Sequence, residues 1–135
     1  MITEDIGTYL ASVGIGTVGA TIFYGYYPHT PNDLVSLYQS AGTPPEVVNT
    51  SPRIEYPELH VVCRGSGDTA YSIAMEKAQD VMVALHAIGE RTLSGTRYLY
   101  IRALGSPALL RYDYSNKPPL AYCVIDFQVV KEVDP

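Results

Sequence analysis

The chain has 135 residues, 47% of them hydrophobic and 17% charged, with a formal net charge of -5. That composition is too apolar for general disorder, and its thinly spread acidity offers no Lys or Arg run to displace counterions from nucleic acid. No stretch reaches the roughly eighteen apolar residues of a membrane span, and the opening Met-Ile-Thr-Glu-Asp lacks a signal peptide's basic and apolar regions, which predicts a soluble protein kept in a cytoplasm.

One domain, residues 1–135, is expected, because a chain of this length hides about two-thirds of its unfolded surface without a metal or disulfide staple. Twelve tyrosines, two phenylalanines and no tryptophan make up the aromatic content. Tyrosine tolerates burial at one end and water at the other and is enriched at interfaces, so some surface is expected to be covered by other subunits.

Ile2, Ile6, Tyr9, Leu10 and Val13 share one helical face and predict a short helix over residues 3–13. Thr3 is the expected N-cap, Glu4 and Asp5 suit the positive end of the helix dipole, and Gly14 suits the left-handed turn that closes it. The glycines of Gly14-Ile15-Gly16-Thr17-Val18-Gly19 follow a helix and precede a β-rich segment. A phosphate-binding loop needs the reverse order, so an ordinary loop is expected.

Residues 21–27 and 33–39 read as two strands, with Pro28-His29-Thr30-Pro31-Asn32 as the stiff tip of a hairpin between them. Residues 42–57 hold Pro44, Pro45, Pro52 and Pro57 and predict a long loop, the first candidate for contact with a neighbour. Leu59, Val61 and Cys63 alternate with His60, Val62 and Arg64, which predicts a strand that ends at Gly65-Ser66-Gly67. A long helix over residues 69–88 follows. Asp68 is its expected cap, its apolar stripe runs from Tyr71 through Ala74, Met75, Ala78, Val81, Met82 and Leu85 to Ile88, and Gly89 is the expected stop.

Strands are predicted over residues 97–104, 108–113 and 120–130. In the last, Cys123, Ile125, Phe127 and Val129 share one face, and Tyr122, Asp126 and Gln128 share the other. Hairpin-length links without repeated strand–helix crossovers predict an α+β fold: a mainly antiparallel sheet with one long helix packed on it and a short N-terminal helix.

No catalytic residue, metal ligand or cofactor site is expected. His29, His60 and His86 lack a second ligand at helical or hairpin spacing, and no GxSxG elbow is present. His60 reads as a satisfied polar residue on the exposed strand face, and His86 as a cation beside the last carbonyls of the long helix. Cys63 and Cys123 sit in apolar runs, where burial raises a thiol's pKa and makes it inert. Glu55 with Glu58, or Asp113 with Asp126, would form acid–base couples only by chance. The tyrosines at 24, 26 and 27 lack the basic groove of a single-strand binding platform.

Several segments in order resemble the bacteriophage minor capsid protein family, which includes tail terminators: residues 6–19 (IGTYLASVGIGTVG), residues 26–42 (YYPHTPNDLVSLYQSAG), residues 56–65 (YPELHVVCRG), the alanine-rich helix after them, and Gly95-Thr96-Arg97-Tyr98. The resemblance implies an α+β virion subunit, assembled in the host bacterial cytoplasm, that closes into a homo-oligomeric ring of about six copies at the head-proximal end of a tail. Such a ring ends tail-tube growth and joins tail to head. Its implied partners are further copies of itself, the major tail (tube) protein and a head-to-tail connector protein, with DNA passing through the channel without specific binding and no membrane involved.

Contacts are expected in the loop and connectors, at Pro28, Pro31, Asn32, Gly42, Pro44, Pro45, Glu46, Val47, Arg53, Tyr114 and Lys117. A head-completion or neck protein is the nearest alternative. A small hydrolase is the other, and it would need His60, Cys63 and Cys123 around one cleft.

Overall fold

The structure, a computed structural model, describes residues 2–43 and 53–133. The elements in chain order are α1 (Ile2–Ser12), β1 (Ile22–Tyr24), β2 (Leu34–Thr43), β3 (Arg53–Ser66), α2 (Ala70–Leu85), β4 (Arg91–Leu93), β5 (Thr96–Ala103), β6 (Ala108–Asp113) and β7 (Leu120–Val133). The α+β class is as expected. The strands form one mixed sheet in the order β1-β2-β3-β7-β5-β4, with β6 also paired to β7.

The strand β7 organises this sheet. One of its edges pairs with β3 along nearly its whole length. The other edge is shared end to end, by β6 along residues 120–124 and by β5 along residues 127–131. The row Leu34–Arg64–Tyr122–Arg111 therefore lies near one end of the sheet, and Thr43–Tyr56 lies near the other. Those ends are separated by the length of β2, roughly 30 Å.

Alternation decides which face of the sheet is dry. Leu59, Val61 and Cys63 of β3 and Cys123, Ile125, Phe127 and Val129 of β7 point to the helix layer and are buried. There they meet Ile2, Ile6 and Leu10 of α1 and Ala74, Ala78, Val81 and Leu85 of α2. Small side chains on α2 allow a close approach: a Cβ on Gly65 would stand 2.6 Å from the Ala70 carbonyl and 2.7 Å from the Ala74 amide.

Helix ends follow local chemistry, with corrections. The α1 helix closes as expected at Gly14, whose φ is +87°, with Ile15 N–H donating to Leu10 O at 3.0 Å and Gly14 N–H to Ala11 O at 3.2 Å. Thr3, the expected cap, instead lies inside the helix and is buried. The cap of α2 is Thr69 rather than Asp68, and the helix stops at Leu85, short of Gly89. Ala87 makes the left-handed turn there, at φ +62°, because Ile88 is drawn into a bridge with Ile101. Tyr71, placed on the apolar stripe, is 43% exposed.

The expected hairpin over residues 21–39 does not form. β1 runs parallel to β2, with Ile22 beside Val35 and Tyr24 beside Leu37. A parallel pair cannot be joined by a tight turn. Residues 25–33 instead return across the face of the sheet opposite the helices, where Tyr27 packs against Tyr38 and Tyr122. This gives that face a second, small apolar cluster around Val62, Leu120 and Tyr122. Part of the predicted 42–57 loop is also strand: residues 42–43 belong to β2 and residues 53–57 to β3. Pro44, Pro45, Glu46 and Val47 lie outside the described residues.

Candidate functional site

Arg64 sits on the outer face of β3, where sequence alternation alone would leave it in solvent, yet it is only 3% exposed. The 25–33 connector covers it. Its Nε donates to Asn32 O at 2.8 Å, and its Nη2 to Pro28 O at 2.7 Å, Pro31 O at 2.6 Å and His29 O at 3.2 Å. The guanidinium carbon lies 5.9 Å from the ring centroids of both Tyr27 and Tyr122, within cation–π range. Ser66 Oγ donates to Asp33 Oδ1 at 2.6 Å and pins the loop's far end. A rigid planar donor with several N–H groups is suited to gathering carbonyls that no strand ladder uses.

The contact residues expected from sequence fall into two groups. Pro28, Pro31 and Asn32 lie in the clamped connector, half-buried, with their carbonyls turned to Arg64. Tyr114 and Lys117 lie in the β6–β7 loop at the same end of the sheet, both exposed. That loop is tied internally: Asp113 Oδ1 accepts from Ser115 N–H at 3.1 Å and Ser115 Oγ at 2.7 Å, which holds the Asp113 carboxyl below its usual range. Asn116 Nδ2 donates to Pro118 O at 2.8 Å.

Gly42 and Arg53 belong to the opposite end, the first near the tip of β2 and the second at the start of β3. Gly42 has an internal role whatever else it does. Its φ is +65°, a Cβ there would fall 2.3 Å from the Tyr56 carbonyl, and the β2–β3 register shifts between Ser40 and Thr43.

Residues considered for chemistry are scattered over both faces. His60 Nδ1 is 2.5 Å from Asp126 Oδ1 on the outer face, beside the Tyr38 ring. Cys63 and Cys123 are register partners on the inner face, buried as free thiols. Burial pushes the Cys63 thiol up to about 12. The sheet itself separates His60 from both sulfurs, so the set a hydrolase would need is not assembled. His86 accepts the Ala103 N–H at its Nδ1, at 3.0 Å, which ties the end of α2 to β5. Among the described residues no group of three His, Cys, Asp or Glu is placed to hold a metal ion, and no helix is long and apolar enough to cross a membrane.

Sequence reasoning missed two further features. Asp5, buried in α1, accepts a hydrogen bond from the Tyr98 hydroxyl at 2.6 Å, tying the first helix to β5 across the core. The second is a strand with little cover: Leu109 and Leu110 of β6 are 46% and 51% exposed, and Leu104 before them is 47% exposed. A charged Arg64 in an apolar strand was a visible signal; the exposure of Leu109 and Leu110 was not, since their pattern reads like any other strand.

A family model described as bacteriophage tail terminator protein matches residues 9–117. The chain belongs to that family. It is therefore a structural protein of the phage tail and a component of the virion. A chain from the virion of a native gene transfer agent particle shares the fold, with a TM-score of 0.55 and 17% identity over 98% of this chain and 92% of that one. A second solved chain has a TM-score of 0.53 at 11% identity, over 95% of this chain and 89% of its own. At such identities the likeness is one of fold. No curated protein matches the sequence.

Tyr98 and Cys63, the two groups raised furthest, are expected to dominate the response of this tail terminator family member to alkali. Tyr98 is neutral in the fold, its pKa raised by burial and by the hydrogen bond to Asp5, and the Cys63 thiol is raised from 9.0 to about 12. A group whose folded pKa is raised keeps its full contribution below its unfolded pKa and loses it as pH climbs toward the folded value. Stability is thus expected to hold below pH 9 and then fall by about 1.4 kcal/mol per pH unit per ionising group, Cys63 first and Tyr98 joining above pH 10. Urea midpoints from pH 8 to 11 check this. A flat midpoint across that range contradicts it. Tyr98→Phe removes one of the two contributions and, at neutral pH, leaves the buried Asp5 short of a donor at a cost of about 2 kcal/mol.

Proposed function

We propose that this chain closes into a ring of about six copies at the head-proximal end of a phage tail, where it ends growth of the tail tube and joins tail to head. The observation that carries the reading is the family match over residues 9–117. The geometry is consistent with it. A ring in that position has two axial faces, one toward the tube and one toward the head connector, and the candidate contact residues sit at two ends of the sheet separated by the length of β2. Pro28, Pro31, Asn32, Tyr114 and Lys117 would serve one face. Gly42 and Arg53, with Pro44, Pro45, Glu46 and Val47 in the same stretch of sequence, would serve the other. The role is mechanical: subunits are held by buried surface, and DNA passes without a basic groove to hold it.

The test is the solution mass of the purified protein by light scattering, alone and mixed with tail tubes, together with tube lengths by electron microscopy. A ring, or a monomer that binds tube ends and stops their growth, is the expected result. A protein that ignores tubes and binds the portal side of heads would instead be a neck protein.

A further inference from the structure

The fold brings together the chain's two cysteines, which are far apart in sequence. Cys63 of β3 and Cys123 of β7 are direct partners across an antiparallel pair, with both side chains on the buried inner face and both thiols free. The edge of β2 fixes the kind of pairing. Val35 N–H donates outward to Thr21 O at 2.8 Å, so Val35 turns its backbone groups away from β3, and its partner Cys63 turns its own toward β7. Cys63 and Cys123 therefore form a hydrogen-bonded pair, whose Cα atoms stand about 5.5 Å apart. A disulfide accepts Cα separations of about 4.4 to 6.8 Å, so the backbone already has the spacing of a bridge. The Cβ atoms of such a pair lie about 5 Å apart and must close by roughly 1 Å, which leaves the bridge strained and readily reduced.

The two sulfurs differ in their distance from solvent. A cross-strand row runs Val35, Cys63, Cys123, Leu109. Leu109 at the end of that row is 46% exposed; Cys123 is next to it, and Cys63 is one strand further in. Burial raises the pKa of both thiols, that of Cys63 to about 12 with a contribution from neighbouring Cys123. Few thiolates form at neutral pH, so the pair reacts slowly, and only with a reagent small enough to enter the core.

We infer that Cys63 and Cys123 form a redox lock, open while the protein is made in a reducing cell and closed by a peroxide once the virion is outside. The inference takes from the family match only that the chain belongs to a virion, and it stands whether or not a ring forms. The Cys123 thiolate attacks one oxygen of hydrogen peroxide, the O–O bond breaks, and the sulfur becomes a sulfenic acid while the departing hydroxide takes up the thiol's proton as water. The Cys63 thiolate then attacks that sulfur, the S–O bond breaks, and a second water leaves in the same way. Two thiols lose two electrons and two protons, and the peroxide is reduced to two waters. The bridge ties β3 to β7, the pair that runs between the two ends of the sheet, and a thiol reductant can reopen it.

Peroxide treatment of the purified, reduced protein in native buffer decides it, followed by unfolding without reductant for thiol titration and intact mass. The expected product is a monomer that has lost two hydrogen atoms and shows no free thiol. Its melting temperature is expected to rise by about 10 °C and to return on reduction. Two thiols still free after prolonged exposure overturn the inference. So does a mass increased by oxygen atoms, which means that the sulfurs oxidise separately, or a disulfide between two copies. A bridged protein that melts below the reduced one also overturns it, because the bond then distorts the core instead of locking it. Cys63→Ala and Cys123→Ala, treated with peroxide and a dimedone probe, report the order of attack: labelling of Cys123 is expected to be about tenfold faster than labelling of Cys63, and the reverse order overturns the assigned roles. The unsubstituted protein carries the main test, so neither variant has to fold for it to be decided.

Discussion

Arg64→Met is expected to lower the unfolding free energy by about 3 kcal/mol, and the melting temperature by roughly 10 °C. Methionine fills much of the arginine's volume and keeps the apolar contact with Tyr27 and Tyr122, so the loss isolates the donors. Carbonyls of Pro28, His29, Pro31 and Asn32 would lose their shared partner. The connector is partly exposed and can rehydrate some of them, which is why the expected loss is less than four charge-assisted bonds would suggest. Arg64→Lys is expected to recover only part of the difference, since one ammonium cannot reproduce the spacing of Nε and Nη2. Thermal unfolding of the three proteins measures this. A melting temperature for Arg64→Met within a degree or two of the parent would mean that the clamp does not hold the connector.

Gly65→Val is expected to cost about 3 kcal/mol or more, for the opposite reason: too many atoms rather than too few donors. The added Cβ would lie 2.6 Å from the Ala70 carbonyl oxygen, 2.7 Å from the Ala74 amide nitrogen and 2.9 Å from Ile73 Cβ. Two of those three atoms are helix backbone, so no side-chain rotation relieves the clash and α2 must move off β3. Because Ala74, Ala78 and Val81 are buried on that side, the movement opens the main core. Gly14→Ala is the control. It has a positive φ but nothing within 4 Å of a Cβ, and the expected cost is about 1 kcal/mol from backbone strain alone. Urea denaturation of both proteins separates the two effects, and equal losses would mean that close approach of the helix contributes nothing.

Local patterns in the chain were enough for a good part of the fold. The three-to-four spacing of Ile2, Ile6 and Leu10 marked α1, and Gly14 marked its end. The period-two alternation of Leu59, Val61 and Cys63, and of Cys123, Ile125, Phe127 and Val129, marked the buried face of the two central strands. These signals are legible because each depends on residues within a few positions of one another. The hairpin expected over residues 21–39 failed where that locality ends. Prolines at 28 and 31 say that the chain stops being strand, but not which way it leaves, and the decision lay with Arg64, which stands 33 residues beyond Pro31.

The candidate site divides in the same way. Tyr114 and Lys117 are exposed in a loop that composition marked as a loop, whereas Gly42 is held by the backbone of Tyr56, a constraint that appears only once β2 and β3 are paired. Sequence by itself determined the fold class, the dry faces of the helices and of the central strands, and the family, because ordered local segments carry all three. Tertiary structure alone decided that β1 runs parallel to β2, that an arginine on an outward position is buried, and that Leu109 and Leu110 of β6 stay exposed. Each of those depends on which distant segment covers which, and covering is set by the free energy of the whole packed chain rather than by the pattern of any one stretch.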